Sequence, residues 1–192
     1  MAQLHHVLGF ATLAVYGAML RQQLALAGGL AVLREGTLDT ALVQRGVWLW
    51  DEEFALACFG RLGAEGRAAY AAMYEVFPGD FALPCCYAPF FAVLLRRARR
   101  QALARAALLA GVADVVENAC ALSLLRAYQT AGLRTAPPLV WWVGPVASLV
   151  KWLCLGAAVC GVLLGGCRRA DAAAAAAAAG AAGDGQPRPK EA

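Results

Sequence analysis

Gly111-Val112-Ala113-Asp114-Val115-Val116-Glu117-Asn118-Ala119-Cys120 sets two carboxylates and an amide inside an apolar run from Ala106 to Leu125. As a helix that run is about 20 residues, just enough to cross a bilayer. Asp114, Glu117 and Asn118 stand at helical i, i+3 and i+4, so all three point one way. Small residues at Ala107, Ala110, Gly111 and Ala121 extend that face, while Leu108, Val112, Val115 and Leu122 fall mostly elsewhere. A charge at membrane depth costs about 2.5 to 3.5 kcal/mol and turns toward protein or water. The rest of the chain is therefore expected to surround this acidic face.

Composition agrees. Of 192 residues, 61% are hydrophobic and 16% charged, with a mean hydropathy of +0.57, well outside an ordinary soluble domain. The net charge of +4 comes from basic residues beside apolar runs rather than interleaved with aromatics on a polar surface. Membrane lipids are the expected partners, with other membrane proteins or a second copy as further candidates, and nucleic acid is not expected. Five of the seven cysteines lie inside apolar runs and none forms a C-x-x-C pair, so they read as packing residues.

Working outward, the expected fold is all-α: a bundle of four transmembrane helices with an interfacial amphipathic helix in the first loop. The spans are read at about residues 7–33, 73–95, 106–125 and 139–164, making a membrane domain of residues 1–166. The first is interrupted by Arg21-Gln22-Gln23 and could end near Leu20; if it crosses, Arg21 needs a buried partner. In the loop that follows, Asp51-Glu52-Glu53 suits a helix start, and Trp50, Phe54, Cys58 and Leu62 recur every fourth residue to make one apolar stripe over about 52–62. The second span carries Pro78-Gly79-Asp80, Pro84 and Pro89, which predicts a kinked or partly unwound helix. There Asp80 either caps a helix or joins the acidic face.

Arg96-Arg97-Ala98-Arg99-Arg100, a short arginine-rich loop, belongs on the cytoplasmic side and puts both termini there for a multi-pass chain. Trp141-Trp142 mark the opposite interface, and Lys151 sits near the centre of the last span among small residues. Residues 167–192, with Ala172 to Ala179 unbroken, form a low-complexity cytoplasmic tail, read as a frayed helix or disorder; Cys167 beside Arg168-Arg169 could be palmitoylated or simply unmodified.

Because spans three and four run in opposite directions, Glu117 and Lys151 fall at similar depths, roughly 12 to 18 Å at the helical rise. A buried polar cluster of Asp80, Asp114, Glu117, Asn118 and Lys151 is predicted, with Arg21 as a sixth candidate. Its formal charge is −1, which calls for a retained proton or a bound cation, since two carboxylates one turn apart in low dielectric do not both ionise readily. The bland reading is that the cluster only fixes which helices pair.

Other chemistry is not written in the sequence. No Walker loop, G-x-G-x-x-G, H-E-x-x-H or G-x-S-x-G occurs, so no cofactor is called for. His5-His6 alone does not make a metal site. Two functions stand: an ion-, proton- or lipid-binding or assembly-organising membrane protein, or a membrane enzyme acting on a lipid or sterol, with Glu117 or Asp114 moving protons and Lys151 stabilising negative charge.

Asp114-x-x-Glu117-Asn118, followed by Ala147-Ser148-Leu149-x-Lys151-Trp152 and preceded by Gly66-Arg67-x-x-Tyr70, resembles a family of small uncharacterised four-span membrane proteins. The likeness covers about Gly66 to Leu164 and implies fold and topology, not an activity. Cys85-Cys86 and the alanine tail depart from it. Four spans, a long first loop and buried acids also resemble, in outline only, the sigma-2 receptor and sterol isomerase group.

Overall fold

The computed structural model describes residues 4–25, 38, 50–76 and 79–183, with only the backbone given for 22–24 and 165–183. Among them are five helices and no strand. They are α1 (Leu4–Ala25), α2 (Glu52–Glu75), α3 (Ala82–Arg97), α4 (Gln101–Ala131) and α5 (Val140–Gly183). The fold is all-α.

Helix α4 is the axis, packing against α2, α3 and α5. Its stripe of Ala104, Ala107, Ala110 and Gly111 lets neighbours approach closely. A Cβ at Gly111 would lie 2.5 Å from Ala88 Cβ and 3.3 Å from the Pro84 carbonyl oxygen of α3. Toward the arginine turn, Ala104 and Ala107 share a cluster with Leu95 of α3 and Ala158 of α5. Arg100 donates from Nη1 to the Gly161 carbonyl oxygen at 2.7 Å, tying the turn to α5. At its other end α4 stops at Gly132, whose φ of 60° is the left-handed cap that glycine adopts without strain.

Helix α2 begins where its sequence predicts: Asp51 accepts a hydrogen bond from the Phe54 amide at 2.7 Å. The stripe of Trp50, Phe54, Cys58 and Leu62 is buried in one cluster with Cys120, Ala121, Leu122, Leu124 and Leu125 of α4. The helix is longer than the expected 52–62. It breaks backbone geometry at Gly63, φ 64°, and continues to Glu75. Arg67 spans the break, donating to the Phe59 carbonyl oxygen at 2.8 Å and lying over the Tyr128 ring.

The expected second span, 73–95, read as a kinked or partly unwound helix, is divided between two helices. Met73 to Glu75 finish α2, the chain turns, and α3 begins at Ala82. Gly79 makes the turn tight, since a Cβ there would lie 2.6 Å from the Met73 carbonyl oxygen. With 16 residues, α3 is about 24 Å long, short of the roughly 30 Å apolar thickness of a bilayer. Pro84 sits in its first turn, where its missing N–H has no intrahelical partner to lose, and Pro89 alone is interior.

Two further differences concern the ends. Helix α1 covers Leu4–Ala25, and the continuation of that span to residue 33 lies outside the described residues. Helix α5 does not stop near Leu164 but runs to Gly183, because an alanine run has the highest helix propensity of any sequence; residues 184–192 of the expected tail lie outside the described residues. Among the described residues, two helices are long and apolar enough to cross a membrane, Gln101–Ala131 and Val140–Leu164. Four spans are therefore not established by helix length and composition. None of the six described cysteines is in a disulfide.

Candidate functional site

The acidic face of α4 is closed over by α3 and α5. Asp114 is 6% exposed, and Glu117 and Asn118 are wholly buried. Lys151 of α5, itself buried, reaches across between the two acids. Its Nζ lies 3.3 Å from Asp114 Oδ1 and pairs directly with Glu117 Oε2. On the other side, Tyr87 of α3 donates its hydroxyl to Asp114 Oδ2 at 2.8 Å and lies 3.3 Å from the Ala110 carbonyl oxygen. Three helices thus meet at Asp114.

The local reasons are simple. Carboxylates one turn apart share a face, and one lysine with three donors can bridge both. Small residues around it, Ala147 at 7% and Ser148 at 3% exposed, let α5 come near enough. Lys151 Nζ also sits 5.2 Å from the Trp152 ring, a cation–π arrangement.

Of the six residues singled out in the sequence, four occupy this buried group: Asp114, Glu117, Asn118 and Lys151. Asp80 is half-buried, in the turn before α3, and within Coulombic reach of Tyr87 together with Asp114 and Glu117. Its backbone amide donates to the Met73 carbonyl oxygen at 2.5 Å. Arg21 is not brought in. It is exposed on α1, because that helix packs on α3 and α2 and turns this position outward, where the charge needs no buried partner.

Tyr87 is the residue the sequence reading missed. Its signal was present: it stands about as far before the arginine turn as Ala110 stands after it, so an antiparallel hairpin puts it beside Ala110, one helical turn from Asp114.

With Asp114 and Glu117 ionised and Lys151 charged, the three carry −1, and Tyr87 adds a donor but no charge. Neither polar atom of the Asn118 amide has a hydrogen-bond partner among the described residues. No cluster of three or more histidine, cysteine or acidic residues suited to a metal ion occurs among the described residues. Two apolar grooves flank the group without being lined by its charges. One of about 360 Å³ runs between α4 and α5 past Ala113 and Ala147. Another of about 330 Å³ runs between α3 and α4 past Gly111 and Pro84.

No protein-family model, curated protein or solved structure matches the chain.

Proposed function

We propose that the chain is a multi-pass membrane protein of four crossings in which Asp114, Glu117 and Lys151 hold one proton between helices. The observation that carries the reading is the group itself: two carboxylates and one ammonium, buried together on the two described helices that are long and apolar enough to cross a membrane. A net charge in low dielectric is costly, and one retained proton brings the group to neutrality.

The crossings are supported by what faces outward. Phe10 and Leu13 on α1, Val112 on α4 and Leu153 on α5 are 76%, 72%, 62% and 64% exposed, which suits hydrocarbon and not water. The second crossing is shared: the last part of α2 runs along α4 to Glu75, and α3, from Ala82, completes the passage to the arginine turn. Arg97 Nη1 lies 2.8 Å from His5 Nδ1, and Arg100 binds Gly161. The start of α1 and the apolar end of α5 therefore share the arginine side, which supports cytoplasmic termini. Membrane lipids are the surroundings this implies.

An enzyme acting on a lipid or sterol is less well supported, since neither groove beside the group is lined by Asp114, Glu117 or Lys151. The test is infrared spectroscopy of the full chain in lipid, which reads protonated carboxyl groups directly. One buried acid band is expected at neutral pH, diminished in Glu117→Gln or Asp114→Asn. A spectrum with no such band, or one unchanged in both variants, would overturn the reading.

A further inference from the structure

The α2 N-terminus and the start of α5 enclose a second site, remote in chemistry from the Asp114 group. A cavity of about 330 Å³ is lined by Trp50, Asp51, Glu52, Trp141 and Trp142. We infer that this cavity binds a quaternary ammonium group, carried either on a choline-type lipid headgroup or on a small soluble cation.

Three of its five walls are indoles, the aromatic ring that attracts cations most strongly. The other two walls are carboxylates, and among the described residues no lysine or arginine lines it. The positive end of the α2 helix dipole opposes a cation here, with about half a unit charge. Asp51 and Glu52 outweigh it with two negative charges. Among the described residues, the Phe54 amide binds one Asp51 oxygen, Oδ1.

The walls are also held in place. Trp50 is 4% exposed and lies flat on α5, where a Cβ at Gly144 would come within 2.2 Å of its Cζ3. Glycine at 144 is what allows that contact. Trp142, by contrast, is 65% exposed and can form the outer wall without supporting the fold. The class of cation follows from the mixture of apolar and charged walls. A primary ammonium is compact and strongly hydrated and costs more to strip of water, whereas a methylated ammonium sheds its water easily and fills an aromatic box.

The test uses the full chain with fluorine-labelled tryptophan in anionic, choline-free lipid nanodiscs, with resonances assigned by single Trp→Phe changes. Choline chloride should shift Trp141 and Trp142 saturably and leave Trp152 unmoved, while sodium chloride at equal ionic strength should not. Trp142→Ala and Glu52→Gln should each weaken the response roughly tenfold or more. Repeating the titration in phosphatidylcholine nanodiscs separates the two sources. Resonances already displaced before any addition identify the lipid headgroup, and an identical titration in both lipids identifies a soluble cation. An equal response to the uncharged carbon isostere of choline, no saturable shift, or indifference to both substitutions would overturn the inference.

Discussion

At the scale of single residues, Lys151 and Asn118 make opposite predictions. Removing Lys151 strands two buried acids, and breaking such a pair costs about 3 to 5 kcal/mol. Lys151→Met should therefore unfold at clearly lower denaturant, and Lys151→Met with Glu117→Gln should recover a large part of the loss. No recovery would mean that Lys151 is held by something other than the acids. Asn118 is wholly buried with neither amide atom bonded among the described residues. An unsatisfied buried amide costs about 1 to 3 kcal/mol, so Asn118→Leu should raise stability by about 1 kcal/mol. A fall instead would show that the amide has work to do, such as holding a water or an ion. The carboxylates and the lysine were legible in the sequence because spacing on one helix and depth on an antiparallel neighbour are both simple arithmetic. Tyr87 was not, because a tyrosine in an apolar run ordinarily reads as packing. Arg21 misled for the converse reason: charge in an apolar run calls for a partner only if it faces inward, and facing is set by how α1 docks.

At the scale of helices, what decides the assembly is how closely α3 and α5 can approach α4, and glycine marks the tightest points. Gly111→Ala should force α3 off α4, at the roughly 1 to 3 kcal/mol typical of overpacking, because its new Cβ would meet Ala88 at 2.5 Å. Gly156→Ala is the matched control on α5. Nothing lies within 4 Å of a Cβ there, so the change should be neutral or stabilise by up to about 1 kcal/mol through helix propensity. Thermal or denaturant unfolding of the two variants side by side decides it, and equal effects would mean that the α3–α4 contact is looser than its geometry indicates. The start of α2 was legible from Asp51 and the four-residue stripe. Its far end was not. Gly63 breaks the helical geometry just past the expected end, yet Arg67 takes up the Phe59 carbonyl beside the break, and the helix resumes. Pro78-Gly79-Asp80 announced an interruption of the second span correctly in kind, but how far α2 would extend toward it depended on Tyr70 and Tyr74 finding the core around Leu124.

For the whole molecule, the proposal of four crossings turns on the α4–α5 hairpin. Helix α4 has 31 residues, or about 46 Å, more than the roughly 30 Å that hydrocarbon demands. Its two ends are chemically opposite: arginines at one, Trp141 and Trp142 with Pro137-Pro138 at the other. Such an arrangement is expected of helices that run through a bilayer, with the arginines on the cytoplasmic face and the indoles in the far headgroup region. A helix pair lying flat on a membrane, or buried in a soluble assembly, would place both ends in the same compartment. Gln101 and Thr135 are exposed at the two ends of α4, so single cysteines there, in a background with the native cysteines replaced, report the difference. Gln101→Cys should react with an impermeant maleimide only from the cytoplasmic side, and Thr135→Cys only from the opposite side. Modification of both from one side would remove the crossing, and with it the low-dielectric surroundings that make a proton on Asp114 or Glu117 worth retaining.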